Sequence, residues 1–231
     1  MAVTRNGSAI RLVYDSVKKA IFKQRLKPKS ALTEQSLCDA LGVGHSSVRS
    51  ALQQLAAEGF VEIIPNKGAF VASFTREQVC QLYDLRIALE LYALKQVLPR
   101  FNEADCQFLA HSIEQEEEAA DASDFERYLE LNSGFHYRII DKLGNMYLSD
   151  VFRQLYNKII VYLVLYDHFY KVGRRGLHTI PNHKKMLAAL EAGNYRKVEK
   201  LLLDQKEKIA QGFNLDLALG ADVGVALRMD G

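Results

Sequence analysis

The chain has 231 residues, of which 48% are hydrophobic and 25% are charged, and its formal net charge is only +2. This length corresponds to one large domain or two small ones, and the hydrophobic fraction excludes a largely disordered chain. The sequence has no run of about 18 apolar residues and no secretory signal, so we expect a cytoplasmic protein that contacts no membrane. The three cysteines are scattered and form no CxxC pair, which argues against a disulfide framework or a cysteine zinc site.

The charge is divided unevenly along the chain. Residues 1–75 carry ten Lys/Arg and five Asp/Glu, a net of +5, whereas residues 76–231 carry twenty and twenty-three, a net of −3. A basic front and an acidic back predict two units, of which the first faces a polyanion.

Three helices are predicted before residue 60. Apolar residues spaced by three and four predict a helix over 8–25, with Ser8 as a plausible N-cap. Thr33 is a candidate N-cap for a short second helix. A third helix, capped by Gly44 or Ser46, runs through Ala57.

The pattern then changes to strands. Residues 60–64 and 68–72 are rich in β-branched and aromatic side chains, and a turn sequence from Pro65 to Gly68 joins them. Three helices followed by a hairpin describe a winged helix-turn-helix, predicted over residues 1–74.

The remainder is predicted to be an all-helical bundle of six or seven helices, which makes the whole chain mainly α. Thr75 and Gln78 form a capping box that opens the first of them, ending near Leu98. Further helices are predicted at about 102–120, 123–143, 145–172, 179–192 and 194–213. The acidic run from Glu114 to Glu118 is interpreted as a solvated helix face. The bundle is assigned to residues 75–215, and residues 216–231 are expected to form a flexible tail.

The start of the third helix has the composition of a DNA-reading element. A helix-turn-helix inserts the N-terminal part of its second helix into the major groove, where arginine can bind guanine with two hydrogen bonds. Because the spacing turns Val48 inward, its neighbours are expected to face outward. The residues predicted to contact double-stranded DNA are His45, Ser46, Ser47 and Arg49 on the helix, and Lys67 and Gly68 at the hairpin tip. The alternative is a surface helix and a surface turn that bind nothing.

Several segments together resemble the GntR-type regulators, in particular the FadR-like subgroup with an FCD-type effector domain. The segments are LTEQSLCDALGV, SSVRSALQQLAAEGFVEIIPNKGAFV, YDLRIALE, LNSGFHYRIIDKLGN and NHKKMLAALEAGNYRKVEKLL. The resemblance implies a homodimeric regulator, not an enzyme, that binds a palindromic operator and responds to a small metabolite, often a carboxylate such as an organic or sugar acid. It also implies a DNA contact at Gln35, a position where close relatives often have arginine.

The resemblance also implies a site inside the helical domain. Asn132 and His136, spaced by four on one helix face, fall where similar proteins hold an aspartate and a histidine that bind a divalent metal of the zinc or nickel type. His183 matches the third ligand, and Gln205 falls where a fourth, a histidine, is expected. Neutral amide oxygens bind such ions weakly, so the sequence favours a metal-free, hydrogen-bonding lining for an effector. Satisfied core histidines are the alternative.

Arg86 completes the predicted effector site. It can pair with a carboxylate ligand or with Glu90 one helical turn further on, and the sequence does not separate the two. Two other functions stay open: a constitutive DNA-binding regulator with a vestigial cavity, and a helical metalloenzyme.

Overall fold

A computed structural model of the chain describes residues 2–166, 179–212 and 226–227. The described residues form a mainly α structure with one two-stranded antiparallel sheet. Its elements in chain order are α1 Ala2–Phe22, α2 Glu34–Leu41, α3 His45–Ala57, β1 Val61–Ile64, β2 Gly68–Val71, α4 Arg76–Val97, α5 Glu103–Asp121, α6 Phe125–Asp141, α7 Met146–Tyr166, α8 Thr179–Glu191 and α9 Tyr195–Gly212. Within the described ranges, no helix combines the length and the apolar character needed to cross a membrane.

The described residues fall into two compact units. Unit 1 contains residues 2–74, 161–166 and 226–227, and unit 2 contains residues 75–160 and 179–212. Residues 161–166 therefore pack with the winged helix, although the sequence assigns them to the helical domain. Tyr166 explains part of this, because its hydroxyl accepts a hydrogen bond from the Phe74 amide at 3.0 Å.

Unit 1 has the three-helix arrangement that the sequence predicts. The hydroxyl of Thr33 accepts a hydrogen bond from the Ser36 amide and caps α2, and Gly42 ends α2 with a φ of 65° that glycine adopts without strain. The apolar face of α3 packs on α1. The fully buried side chains of Leu37, Val48 and Leu55 fill the space between these helices.

The wing is a hairpin in register. Val61 pairs with Val71 and Ile64 pairs with Gly68, as the predicted strands require. The turn between them places Asn66 at a φ of 61° and closes with a hydrogen bond from the Lys67 amide to the Ile64 carbonyl at 3.0 Å. Asparagine tolerates this left-handed conformation better than most residues, which favours the turn at this position.

One local prediction in unit 1 is wrong. The first helix begins at Ala2 and contains Ser8, which is therefore not its N-cap. The flexible tail over 216–231 stays a prediction: within it, Ala226 is buried in unit 1 and its carbonyl accepts a hydrogen bond from Arg25 at 3.3 Å. The rest of 216–231, apart from Leu227, lies outside the described residues.

Unit 2 is all helical. The capping box predicted at Thr75 and Gln78 is present, with both reciprocal hydrogen bonds formed. Asn102 and Asp105 form a second capping box at the start of α5, which the sequence analysis did not identify. Helix α5 packs on α6 and α8, while α4 packs on α6 and α9. The predicted extension of α7 to residue 172 lies outside the described residues.

Candidate functional site

The first candidate surface is the N-terminal end of α3 in unit 1. Gly44 caps this helix, and the side chains of His45, Ser46 and Arg49 are exposed. The Arg49 side chain is 67% exposed. This exposure is what a side chain needs to reach a base edge.

Ser47 does not share this surface, which corrects the expectation that its side chain faces outward. Its side chain is only 4% exposed, because it precedes the fully buried Ala51 by one helical turn and so lies on the inner face of α3. The buried face of α3 is therefore wider than the Val48 spacing suggested, and a DNA contact by Ser47 stays a prediction.

The wing lies beside the reading helix. A groove of about 440 Å³ within unit 1 is bordered by Arg49 from α3 and by Lys67 and Gly68 from the hairpin tip. The structure thus brings together predicted DNA contacts that are separated by almost twenty residues in the sequence. Gln35 lies on exposed α2, where its side-chain amide donates a hydrogen bond to Asp39 at 2.8 Å.

Glu34 also borders the groove, and the sequence analysis did not assign it to the surface. Its two carboxylate oxygens lie 2.7 and 2.9 Å from Nε of Arg49, and one of them lies 3.3 Å from Nδ1 of His45. The hydrogen bond from Arg49 lowers the pKa of Glu34 below its ordinary value. The sequence places Glu34 in the first turn of α2, but the contact with Arg49, fifteen residues further on, depends on how α2 and α3 pack.

The second candidate is a polar cluster inside unit 2. Its five predicted members come from four helices: Arg86 from α4, Asn132 and His136 from α6, His183 from α8 and Gln205 from α9. Four of these side chains are almost completely buried, and Gln205 is half-buried. Buried polar side chains need hydrogen-bond or ionic partners, because burying a polar group without one costs folding free energy.

The members contact one another directly. Nη2 of Arg86 lies 2.9 Å from Nε2 of His136 and 3.5 Å from Oε1 of Gln205. Nε2 of His183 lies 3.1 Å from Nε2 of His136. Asn132 joins through Tyr156, whose hydroxyl donates to its Oδ1 at 2.9 Å, while its Nδ2 is buried without a hydrogen-bond partner in the described part of the chain.

Two carboxylates complete the cluster. Arg86 donates from Nε to Glu90 at 3.1 Å, which is the intramolecular alternative that the sequence left open. The other oxygen of Glu90 lies 2.6 Å from Nδ1 of His136, without hydrogen-bond alignment. Glu116 is fully buried at 3.0 Å from Nδ1 of His183, so interpreting the whole acidic run as a solvated face was wrong. Glu116 lies on the face of α5 that packs against α8.

The charges in the cluster are strongly coupled. Burial works against charge on Arg86 and Glu90, but their mutual attraction prevails, so the pKa of Arg86 is raised and that of Glu90 falls to about 2. Burial, helped by the nearby guanidinium of Arg86, lowers the pKa of His136 to about 3. At neutral pH the cluster therefore holds an ionised Arg86–Glu90 pair beside a neutral His136.

Comparison with known proteins identifies the family. The model for bacterial regulatory proteins of the gntR family matches residues 10–71, and the FCD domain model matches residues 81–204. This chain belongs to the gntR family. Members of the gntR family are transcriptional regulators rather than enzymes, which sets the metalloenzyme hypothesis aside.

The individual proteins compared next are only 22–28% identical to this chain. The HTH-type regulator YdhC of Bacillus subtilis is 28% identical over 60% of this chain and 62% of its own length. The HTH-type repressor RspR of Escherichia coli is 22% identical over 86% of each chain. A structure described as a GntR transcriptional regulator from Rhodococcus sp. RHA1 shares the fold, with a TM-score of 0.66 at 22% identity over 91% of this chain and all of that one. The matches to the first curated relatives span less than two thirds of those proteins.

The cluster does not suit the divalent metal that the family resemblance implies. Asn132 and Gln205 supply neutral oxygens, and the Asn132 oxygen already accepts from Tyr156. The Arg86 guanidinium lies 2.9 Å from Nε2 of His136, so a divalent cation bound at that nitrogen would face a fixed positive charge at close range. Among the described residues, no three His, Cys, Asp or Glu side chains are arranged to hold a metal ion.

The Arg86–Glu90 pair generates a stability prediction. Replacing Glu90 with glutamine keeps the shape but leaves Arg86 buried without its counterion, so the free energy of unfolding in urea is expected to fall by about 3–5 kcal/mol. Because the folded-state pKa of Glu90 lies near 2 and its ordinary value is 4.5, its contribution is present above pH 4.5 and is lost as the pH falls towards 2. The variant is expected to lose less stability over that range. Glu130→Gln, which removes a charge from an exposed ion pair with Arg127, is the control and should change the free energy of unfolding little. Equal losses of stability in the two variants would contradict a stabilising role for the buried pair.

The donor atoms of the polar cluster lead to a prediction about metal binding. Adding Zn²⁺ or Ni²⁺ to the wild-type protein should leave its melting temperature unchanged, and EDTA should not lower it, because the cluster offers no anionic ligand with an open position. The double variant Asn132→Asp, Gln205→His restores the missing donors and should show a larger metal-dependent rise. Elemental analysis that finds one tightly held metal ion per wild-type chain would contradict this prediction.

Proposed function

We propose that this protein is a transcriptional regulator that binds an operator sequence specifically, and that a small anionic metabolite bound in unit 2 changes its affinity for DNA. The observation that carries the DNA-binding part is the groove in unit 1, where Arg49 of the reading helix faces Lys67 and Gly68 of the wing. A reading helix and a wing on one side can engage neighbouring parts of a duplex.

The charge distribution supports the same function. Residues 2–74 of unit 1 lie within the net-positive front of the sequence, and DNA binding by basic side chains releases counterions from the phosphates. The side chains of His45, Ser46, Arg49 and Lys67 are exposed, so they are free to meet a duplex. Gln35 remains a proposed contact that would need to exchange its hydrogen bond with Asp39 for one to DNA.

We further propose that the polar cluster is the effector site. Arg86 is a buried cation whose present counterion, Glu90, lies on its own helix, and a carboxylate ligand can offer the guanidinium a similar paired contact. The unsatisfied Nδ2 of Asn132 and the half-buried Gln205 would supply directed hydrogen bonds to the hydroxyl or carboxyl oxygens of an organic or sugar acid. The other proposed ligand contacts are His136 and His183.

The proposed regulation follows from linkage in a homodimer. A ligand that binds one arrangement of the dimer better than another shifts the population towards it. The two reading helices must meet half-sites about one DNA turn apart, so such a shift changes operator affinity. We expect this regulator to act in the cytoplasm.

A constitutive regulator with a vestigial cavity is the second candidate. It is favoured by the direct contacts between Arg86, His136 and His183, which satisfy much of the cluster without a ligand. The unsatisfied Asn132 amide nitrogen favours the ligand-responsive function instead, because most buried polar groups in protein cores have a hydrogen-bond partner.

Substituting Arg49 tests the DNA-binding proposal. A duplex is first selected from a random library by the wild-type protein, and its affinity for each variant is measured by fluorescence anisotropy. Arg49→Ala should weaken binding by about 1–3 kcal/mol, because a bidentate base contact is lost, while the exposed position leaves the melting temperature unchanged. Arg127→Ala, at an exposed position of α6 in unit 2, is the matched control and should bind the selected duplex as tightly as the wild type. Failure of the wild type to select any sequence, or full affinity in Arg49→Ala, would refute the proposed role.

A further inference from the structure

We propose that Glu34 is a positioning residue that determines the base specificity of this regulator by fixing the guanidinium of Arg49. This inference rests on the proposed DNA-binding function and adds a residue to it. Glu34 lies in α2, outside the helix that enters the groove, and acts through Arg49 rather than by touching DNA itself.

The pairing leaves the useful edge of Arg49 available. Glu34 accepts hydrogen bonds from Nε of Arg49 with both carboxylate oxygens, at 2.7 and 2.9 Å. A guanidinium has five N–H donors in a rigid plane, so holding Nε orients the two terminal amino groups as well. These amino groups form the end-on pair that binds O6 and N7 of guanine.

The carboxylate is itself held in place. Glu34 is the first residue of α2, directly after the Thr33 cap, where the helix dipole favours a negative side chain. Leu37, one turn further on, is fully buried, which fixes α2 against the core of unit 1. The Glu34 side chain is 34% exposed against 67% for Arg49, so the carboxylate is the more enclosed partner of the pair.

His45 is held by the same group. Its Nδ1 lies 3.3 Å from Glu34 Oε2, so one carboxylate spans two exposed side chains at the start of the reading helix. Arranging both side chains before DNA arrives reduces the conformational entropy that binding must overcome. Glu34 thus links the two side chains of α3 that are most able to reach bases.

This arrangement has an opposing electrostatic effect that makes it testable. A carboxylate at the DNA surface repels phosphates and weakens binding to any sequence. Removing the charge should therefore strengthen binding to unrelated DNA, whereas losing the orientation of Arg49 should weaken the preference for the selected sequence. A residue with only a charge effect would change both affinities by the same factor.

The experiment compares Glu34→Gln with Glu62→Gln. Glu62 is an exposed acidic residue on β1 of the same unit, and its charge contributes to raising the pKa of Tyr166. Glu62→Gln therefore removes the same charge as Glu34→Gln but leaves the Glu34–Arg49 pair in place. Full-length proteins are titrated with two duplexes: the one selected by the wild type and a scrambled version of it. The measured quantity is the ratio of the two affinities, with melting temperatures recorded for every variant.

We expect Glu34→Gln to bind scrambled DNA more tightly and to lower the selected-to-scrambled ratio roughly tenfold, because one bidentate contact is loosened. Glu62→Gln should leave the ratio unchanged. In an Arg49→Ala background the Glu34 substitution should lower the ratio much less, since only His45 is then left for Glu34 to position.

An unchanged ratio in Glu34→Gln, or an equal fall in the Arg49→Ala background, would overturn the positioning role while leaving the proposed function intact. A wild-type protein with no preference for any duplex would remove both. If a lower melting temperature accompanies the fall, Glu34→Asp provides the second variant. It keeps the charge and the helix start, but its shorter side chain should still reduce the ratio if positioning is the cause.

Discussion

The structure of unit 2 depends on one buried charge, the guanidinium of Arg86. Its pairing with Glu90 keeps both groups ionised in the interior, and the rings of Tyr83 and Tyr156 lie against the guanidinium, at 5.4 and 5.3 Å from its carbon to each ring centroid. Because this fixed cation lies beside His136, it disfavours protonation of that ring and the approach of a divalent ion. The cluster thus carries a positive charge that belongs to the chain itself.

The same chemistry has another consequence at the surface of unit 1. Glu34 and Arg49 form an exposed pair, which contributes little to stability because water screens it. Its value lies in geometry, since it fixes a side chain that must meet a base edge. In our proposal, the buried carboxylate–guanidinium pair belongs to a site for an acid and the exposed pair belongs to a surface for DNA, and solvent exposure distinguishes the two.

Local sequence patterns predicted much of the fold because their physical causes are local. The Thr33 cap, the Thr75–Gln78 capping box and the hairpin strands depend on residues within a few positions of one another, and all are present. The failures depend on packing between distant segments. Burial of Ser47 follows from the width of the contact made by α3, and burial of Glu116 follows from the approach of His183, which is 67 residues away. The Glu34–Arg49 contact likewise requires the turn between α2 and α3 to be folded.

The central claim is that occupation of the Arg86 cluster is linked to DNA affinity. The most direct test measures the affinity of the wild-type protein for its selected duplex with and without those organic and sugar acids that raise its melting temperature in a dose-dependent way. The account predicts that at least one such acid changes DNA affinity in the wild type and has no effect in Gln205→Ala or Asn132→Ala, provided that these variants remain folded. Acids that bind in the wild type but leave DNA affinity unchanged, or that act equally on both variants, would contradict it.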